Sequence, residues 1–503
     1  MAFTTILSFL LTFAAIAQAN LGTCSLDPVS LPWSNVTLAD GVVANRGISI
    51  QLGGQPVALR ATTLLSNCRL RNSRDCGNGN ASVQSGCQGS SGSSFDIQES
   101  ATWVDAPQGT WNVTTIDAPE GEETIVDGYD IAQFYGLPKI YGFPFEVWSD
   151  QQSTNKSGLS LGLNSSFINT LLANELVSSS AYGLFFGSRS QTKGVDGNLT
   201  IGGFDRARVK GPWSNFTTQA GYINYNCPLQ VLVRDIRLNN ARGSFSLFAD
   251  SEATVIACVD PLQNQFTFTQ TMYDIFANLT DHPSDPTVEG GSNFTQQTYP
   301  LSSGRLLGNL TVELIDGYTT VIPNYEFVSQ ERGTDAEGKY AVVNESRLMV
   351  AAGTTGTSTM DGVDIPILGG VYLSQNYLFV DFDSGVFRLA PAVLGEMDDQ
   401  SHDIVQVCGG SAFDLPLSRS SGSKSNTGAI AGGVVGGAAV FTVAAVTIWC
   451  FRKRRRADSM LAMREDDRTG SDAPQAPQRS IVQPRVELET PEHSHPEIPA
   501  RLL

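Results

Sequence analysis

The stretch that decides the fold is Ile365–Ala390, which reads IPILGGVYLSQNYLFVDFDSGVFRLA. Its first part, Ile365–Gly370, is an apolar run that ends in two glycines, a pattern that predicts a buried strand and a close approach of two backbone segments. Its second part, Tyr377–Ala390, holds two apolar runs around Asp383-Ser384-Gly385, which is typical of a β-hairpin turn. This stretch therefore predicts a β-rich core.

Composition narrows the class of protein. The 503-residue chain has 50 Asp and Glu against 32 Lys and Arg, a net charge of −18. Because phosphate contacts need clustered Lys and Arg, this balance argues against a nucleic-acid partner. Only 16% of the residues are charged and 49 are Gly, which suits a β-rich secreted protein. With only four His in the chain, a His-rich metal site is disfavoured, and we expect no cofactor.

Two apolar segments predict the membrane topology. Residues 1–19 have an apolar core followed by Ala17-Gln18-Ala19, the pattern of a cleaved secretory signal. Residues 428–451 are 24 consecutive uncharged residues, enough to span a bilayer as a helix. The basic run Arg452–Arg456 follows at once, so the positive-inside rule places the tail in the cytoplasm. We expect a single-pass type I protein of the cell membrane with an extracellular ectodomain.

The segments around the membrane helix have compositions of their own. Residues 409–427 form a Ser/Gly-rich stalk, and residues 452–503 are polar and Pro-rich, which predicts a disordered cytoplasmic tail. Gly428, Gly432 and Gly436 recur every four residues, a spacing that permits close helix–helix association. A weakly hydrophobic anchor without a partner explains the same residues equally well.

Glycosylation sequons occur only between the signal and the membrane segment, as this topology requires. A heavily glycosylated ectodomain is expected from eleven Asn-x-Ser/Thr sites: Asn35, Asn80, Asn112, Asn155, Asn164, Asn198, Asn215, Asn278, Asn293, Asn309 and Asn344.

Seven cysteines lie outside the membrane segment, so one must stay free or bridge two molecules. Sequence cannot choose among the pairings. The pair that we predict is Cys76–Cys87, which closes a short loop in a segment rich in Ser, Gly and Asn.

Several motifs together resemble the pepsin-like aspartic proteases. The closing stretch Ile365–Ala390 follows that family's order of an Ile-Leu-Gly strand and a Tyr-x-Val-Phe-Asp-like strand. Gly197–Asp205, GNLTIGGFD, resembles the segment that closes the family's first lobe. The resemblance covers about Asn35–Pro391. It implies a mostly β, bilobal fold, with an N-terminal lobe over 20–210 and a C-terminal lobe over 211–408. The order of ectodomain, stalk and single helix is similar to membrane-anchored members from filamentous fungi.

The family's catalytic motifs are degenerate in this chain. By register, Thr62-Thr63-Leu64 occupies the first Asp-Thr-Gly position, after the hairpin arm Arg46–Gln55. At the second, Asp260 takes the place of the aspartate, but Pro261 and Leu262 replace the Thr/Ser and the Gly. Thr115 falls near the position of the tyrosine of the family's active-site flap. The family's mechanism needs two carboxylates that share one proton. We therefore assign no catalytic residue and treat Thr62, Thr63 and Asp260 as degenerate positions.

One local motif suggests another class of enzyme. Gly158–Gly162, GLSLG, matches the nucleophile pattern of α/β-hydrolases. That motif needs repeated βαβ units and a His late in the chain, and the sequence shows strands without repeated helices. The pepsin-like family explains the segment better, as a first-lobe strand followed by a helix over 166–176.

Three hypotheses about function remain. The first is a non-catalytic, membrane-anchored pepsin-like ectodomain, whose cleft binds an extracellular peptide or glycan or acts as a surface sensor. The second is an active aspartic-type endopeptidase with atypical motifs. The third is a structural or adhesive surface glycoprotein, since a fold does not settle a function.

Overall fold

The computed structural model describes residues 26–38, 44–77, 81–107, 124–149, 157–190, 194–219, 227–250, 253–280, 297–300, 307–337, 339–354, 365–397 and 401–408. All of them belong to one compact unit, which spans Met1–Arg419. Of the described residues 49% lie in strands and 14% in helices, which confirms a mostly β protein with barrel-like sheets.

The largest sheet has fourteen strands. They are β1 Val29–Thr37, β2 Ala44–Leu52, β3 Gln55–Thr62, β4 Arg69–Asn72, β5 Ser94–Phe95, β6 Val104–Asp105, β7 Thr124–Phe134, β8 Ile140–Ser149, β9 Gly158–Ser160, β10 Tyr182–Phe185, β11 Gly197–Ile201, β13 Ser214–Thr217, β25 Asn376–Asp381 and β26 Val386–Pro391. Six of these strands close a ring in the order β2-β3-β9-β4-β8-β7, because β7 pairs back with β2. Ring closure leaves no free edge among these six strands.

The rest of this sheet is an arm in the order β2-β1-β11-β10-β25-β26-β13. It joins strands from distant parts of the chain: Tyr182 in β10 pairs with Val380 in β25. Strands β25 and β26 are the hairpin expected from Tyr377–Ala390, and this prediction is confirmed. All six residues of β25 are buried, and the four in the middle, Tyr377–Val380, are apolar or aromatic.

An eight-stranded sheet is built from the following part of the chain: β14 Gln230–Asn240, β15 Gly243–Ser246, β16 Val255–Val259, β17 Phe266–Phe268, β19 Asn309–Leu314, β20 Thr319–Ile322, β23 Ala352–Thr354 and β24 Ile367–Leu368. Two small sheets complete the described strands. One pairs β12 Gly203–Asp205 with β27 Ile404–Gln406, and the other holds β18 Gln297–Pro300, β21 Val328–Thr334 and β22 Tyr340–Val350.

The described helices are short: α1 Ala81–Ser91, α2 Ser166–Ala173, α3 Gln270–Leu279, α4 Asn324–Phe327 and α5 Gly370–Leu373, with 3₁₀ turns at Ser73–Cys76 and Arg206–Arg208. Helix α2 confirms the helix predicted after the GLSLG strand, and the Ser165 hydroxyl caps it by accepting from the Ile168 N–H. Helix α1 was expected to be a loop. The Cys76–Cys87 disulfide fixes α1 to the preceding turn, a constraint that helix propensity does not report.

Aromatic side chains fill the interior of the ring. Phe134, Phe143, Phe145 and Phe167 are almost fully buried, and Phe134 lies 5.1 Å from Phe167 between ring centroids. These aromatic side chains come from β7, β8 and α2. The space inside the ring of strands is therefore filled by a packed core.

The predicted membrane segment is not among these elements. No helix of the described residues is long and apolar enough to cross a bilayer. The predicted signal over 1–19, the stalk over 409–427, the helix over 428–451 and the tail over 452–503 lie outside the described residues. The boundaries of the two lobes, 20–210 and 211–408, remain predictions.

Candidate functional site

Two strands deliver the degenerate motifs to one place. Strand β3 ends at Thr62, and β16 ends one residue before Asp260. Each pairs in parallel with an apolar strand from later in the chain: β3 with β9, and β16 with β24. The two motifs therefore leave the carboxyl ends of equivalent strands in two different sheets.

A glycine after each of these partner strands packs against the backbone of the motif loop. A Cβ built at Gly162, which follows β9, would lie 2.8 Å from the Thr63 carbonyl oxygen. A Cβ at Gly369, which follows β24, would lie 2.4 Å from the Gln263 carbonyl oxygen. Both contacts are too short for any side chain, so glycine is required. This is the close approach expected from the Gly369-Gly370 pair, and it occurs in both halves of the site.

The two motifs meet in direct hydrogen bonds. The Thr62 hydroxyl donates to Asp260 Oδ1 over 2.9 Å. The Thr63 N–H and the Thr63 hydroxyl donate to the same oxygen over 2.8 and 3.1 Å. Three donors thus converge on one carboxylate oxygen, and all of them belong to Thr62 and Thr63.

The second carboxylate oxygen and the Thr62 hydroxyl have partners within their own loops. Asp260 Oδ2 accepts from the Leu262 N–H over 3.0 Å, and the Thr62 hydroxyl accepts from the Leu64 N–H over 3.1 Å. Thr62 and Asp260 are both 0% exposed. Charge-assisted hydrogen bonds of this kind offset the cost of burying a charged carboxylate.

Thr63 connects the first loop to the end of β16. Its single hydroxyl proton is shared between Asp260 Oδ1 and the Val259 carbonyl oxygen, each 3.1 Å away. Pro261, at the equivalent position of the second loop, has neither a hydroxyl nor an N–H to return the contact. The loops are therefore tied together asymmetrically.

A disulfide beside the site was not predicted. Cys227 and Cys258 are bonded, and Cys258 lies two residues before Asp260. Leu64 packs against this disulfide together with Ile365 and Ile367. The apolar pocket around the sulfur atoms accommodates Leu64. The sequence signal was only that both cysteines flank strand-like segments.

A buried polar cluster anchors the chain just after Thr62–Leu64. Glu146 on β8 is 0% exposed and accepts from Asn67 Nδ2 over 2.7 Å and from Trp148 Nε1 over 2.9 Å. The Arg69 guanidinium lies 3.5 Å from the centre of the Trp148 ring, a cation–π contact. The cluster connects the chain after Leu64 to strand β8. It could not be predicted from the sequence, because Asn67 and Glu146 are 79 residues apart.

Tyr182 borders the site from β10. Its hydroxyl donates to the Leu161 carbonyl oxygen over 3.1 Å. Burial raises the pKa of Tyr182 well above its ordinary value, and the negative charge of Asp260 raises it further. This hydroxyl therefore stays protonated and cannot supply a base to the site.

The cysteines form two disulfides whose partners are both described, and one of these was predicted. Cys76–Cys87 is a disulfide, as predicted, and Cys408 is disulfide-bonded as well. Cys68 is a free, buried thiol, which agrees with the expectation of one odd cysteine. Burial raises the pKa of Cys68 to about 11, so at neutral pH the thiol is protonated and poorly nucleophilic.

The GLSLG motif has no catalytic geometry. Ser160 is 0% exposed, and its hydroxyl lies 3.2 Å from Ser165 Oγ and 3.4 Å from Cys68 Sγ. His402, the histidine in the described part of the chain, instead contacts Asp205 over 2.5 Å. Ser160 is therefore a structural residue at the end of β9, and no imidazole of the described residues contacts it.

The remaining predicted positions are distributed over the surface or fall outside the described residues. Asn35, Asn164, Asn215, Asn278 and Asn309 are exposed, and Asn198 and Asn344 are half-buried. Asn80, Asn112, Asn155, Asn293 and the flap position Thr115 lie outside the described residues, as do Gly428, Gly432 and Gly436. Among the described residues no three His, Cys, Asp or Glu side chains are grouped as metal ligands.

Comparison with the models of known protein families and with the curated proteins finds no match for this chain. The function must therefore be argued from the site.

Proposed function

We propose that this chain is a membrane-anchored, glycosylated ectodomain of the bilobal pepsin-like plan. Its hydrolytic chemistry is lost, and its cleft binds an extracellular ligand. The observation that carries the proposal is the contact between Thr62 and Asp260: the place of the partner carboxylate holds a hydroxyl, 2.9 Å from Asp260 Oδ1.

The duplicated frame of the site supports the pepsin-like plan. In each half a strand carries the motif, a parallel strand follows it, and a glycine packs against the motif loop. A site between two such halves is the arrangement in which an aspartic protease holds its two carboxylates about 3 Å apart. Here that arrangement brings together one carboxylate and one hydroxyl.

The chemistry of the pair supports the loss of hydrolysis. Two close carboxylates share a proton because both cannot be ionised together, and that shared proton lets the pair activate a water molecule. A threonine hydroxyl has no accessible proton equilibrium between pH 2 and 7. Three donors lie within hydrogen-bond distance of Asp260 Oδ1, and they occupy the roughly two lone pairs of that oxygen, so none is left to hold a water molecule.

The ligand that fits the proposal is an extended peptide or a glycan. A cleft between two β lobes keeps its backbone hydrogen-bonding groups when its catalytic groups are lost, so binding without turnover is the activity left to it. The predicted anchor would display this cleft outside the cell. Such a cleft could equally act as a surface sensor. The competing outcomes are an adhesive glycoprotein and an atypical endopeptidase, in which a partner for Asp260 exists.

The test is proteolysis by the purified ectodomain. Denatured protein substrate is incubated with wild type, Asp260→Asn and Asp274→Asn from pH 2 to 7, with and without pepstatin; Asp274 is an exposed control on α3. We expect no cleavage above background by any of the three proteins. Acid-dependent cleavage that both Asp260→Asn and pepstatin abolish, and that Asp274→Asn retains, would overturn the proposal.

A binding experiment separates the proposal from the adhesive alternative. The wild-type ectodomain is titrated with pepstatin, a peptide that mimics an extended substrate, and with a mixed peptide library, while Asp274→Asn serves as the control. Saturable binding that Asp260→Asn weakens supports a ligand-binding cleft. Absence of saturable binding by either probe favours a scaffold role.

A further inference from the structure

A polar cavity lies away from the Asp260 site, and it shares no residue with that site. Its volume is about 300 Å³, and its walls include Asn35, Arg46, Ser188, Arg189, Asp196 and Glu396. These residues come from β1, β2, the paired residues around Ser188 and Val195, and the segment after β26.

Asn35 is the one sequon asparagine on the walls of this cavity. It lies on β1 directly opposite Arg46 on β2, so the two side chains project from the same face of the sheet. Asn35 is exposed, and the sequon threonine, Thr37, is exposed two residues further along the same strand. A sugar attached to the Asn35 amide would therefore begin at the wall of the cavity.

Hydrogen bonds hold the cavity wall formed by Arg46 and Ser188 in place. The Arg46 side chain is only 9% exposed; it donates to Asp196 Oδ1 over 3.1 Å and to the Val195 carbonyl oxygen over 2.9 Å. The Ser188 hydroxyl donates to the buried Glu326 over 2.7 Å. A pre-formed wall lowers the entropy cost of ordering a ligand against it.

The lining also indicates what kind of group the cavity suits. Among the described residues, its charged side chains are Arg46 and Arg189 against Asp196 and Glu396, so these four formal charges cancel. None of the described lining residues is aromatic. A balanced, hydrogen-bonding wall disfavours an anion, a cation or an apolar ligand, and it favours a neutral group rich in hydroxyls and amides.

We propose that this cavity holds the first N-acetylhexosamine residues of an N-linked glycan on Asn35. The bond forms during secretion, when Asn35 Nδ2 attacks C1 of a lipid-linked oligosaccharide, loses a proton and displaces the lipid diphosphate. The hydroxyls and the N-acetyl group then exchange hydrogen bonds with the Arg46, Arg189 and Glu396 side of the cavity. The glycan becomes part of the fold at this position, unlike glycans on open surface.

The experiment measures how fast each glycan is removed from the native ectodomain. Wild-type protein from a eukaryotic host is treated with peptide N-glycosidase in ¹⁸O water, and the conversion of each Asn to labelled Asp is followed by mass spectrometry. Asn215 is the matched reference, because it is exposed on β13, does not line this cavity and also has an exposed sequon threonine, Thr217. We expect removal at Asn35 to be about tenfold slower, the effect of one or two net hydrogen bonds.

Variants then connect the protection to the cavity and to stability. Glu396→Ala alters the wall without touching the sequon, and it should speed removal at Asn35 and leave Asn215 unchanged. Thr37→Ala, which removes the Asn35 glycan, should lower the Tm, whereas Thr217→Ala should not. After denaturation both glycans should be removed at the same rate.

Three outcomes would overturn the proposal. They are an Asn35 without glycan while Asn215 is occupied, equal native removal rates at the two sites, and protection at Asn35 that Glu396→Ala does not change. The rate comparison uses wild-type protein alone, so it stands even where Thr37→Ala fails to fold. Because occupancy of Asn215 independently reports passage through the secretory pathway, these outcomes are distinct from failure of the proposed function.

Discussion

At the scale of single residues, the site is a carboxylate held by threonines. Asp260 is fully buried and receives its donors from Thr62, Thr63 and Leu262. Buried carboxylates persist only where such donors replace water. Because Thr62 is uncharged, its contact with Asp260 is a hydrogen bond without repulsion between like charges.

This view predicts the effect of removing one hydroxyl. Thr62→Val keeps the shape of the side chain but deletes its bond to Asp260 and the acceptor of the Leu64 N–H. We expect the free energy of unfolding to fall by about 1–3 kcal/mol, the cost of leaving buried polar groups unsatisfied. Urea unfolding followed by fluorescence measures it.

The control for this prediction is Thr217→Val, the same substitution at an exposed position on β13. It should change the free energy of unfolding by no more than about 0.5 kcal/mol. Equal stabilities of Thr62→Val and Thr217→Val would mean that the Thr62–Asp260 contact does not hold the buried carboxylate.

The sequence identified these residues but not their contacts. The resemblance singled out Thr62, Thr63 and Asp260, and the structure brings them within hydrogen-bond distance. The Cys227–Cys258 disulfide could not be predicted, because its two cysteines join separate segments whose approach depends on β14 and β16 pairing. Spacing favoured only the short loop of Cys76–Cys87.

At the scale of elements, the parallel pairs β3–β9 and β16–β24 are the units that build the site. Each unit needs a glycine where the chain turns beneath the motif loop. The conformation of Gly369 is ordinary, with φ −85°, so its requirement is one of space alone. A helix could be predicted after β9 because Phe167 and Leu171 follow helical spacing, whereas α1 carries no such apolar pattern.

A methyl group at this glycine should test the packing of the second unit. In Gly369→Ala the new Cβ would lie 2.3 Å from the Gln265 carbonyl oxygen, an atom of the backbone that has no rotamer to change. We expect destabilisation of at least about 1–3 kcal/mol from overpacking. Thermal unfolding by calorimetry is the measurement.

Gly77→Ala is the matched control, since Gly77 has φ −80° and its nearest neighbour to a new Cβ, the Arg74 carbonyl oxygen, is 3.3 Å away. Its Tm should stay near that of wild type or rise slightly, because alanine restricts the unfolded chain. If both variants unfold at the wild-type temperature, the close approach after β24 is not required for stability.

At the scale of the whole molecule, the arm of the fourteen-stranded sheet is assembled from strands that are far apart in sequence. The chain of strands β1-β11-β10 is continued by β25, β26 and β13. The apolar hairpin of β25 and β26 could be predicted from sequence. The pairing of this hairpin with β10 could not be predicted, because every short buried strand shows the same apolar sequence pattern.

The arm predicts that the first lobe does not fold alone. A fragment of residues 20–210 lacks β25, so β10, whose four residues are all buried in the complete chain, becomes an edge strand. Exposed apolar edges lead to association between chains. We expect this fragment to aggregate or to lack a cooperative unfolding transition, as judged by size-exclusion chromatography and circular dichroism.

The comparison is with residues 20–408, which contain every described strand and should be monomeric and unfold cooperatively. A monomeric 20–210 fragment with a sharp unfolding transition would show that the arm is not needed for the first lobe.

The same arm leaves one strand edge uncovered during synthesis. Tyr182 and its partner Val380 are separated by about 200 residues, and ribosomes add roughly 5–20 residues per second, so β10 emerges about 10–40 s before the strand that covers it. During that interval the nascent chain exposes the apolar edge of β10, because the strand that pairs with it, β25, has not yet been made. Translation speed and holding chaperones, rather than the free energy of the finished fold, would then set how much of this protein matures.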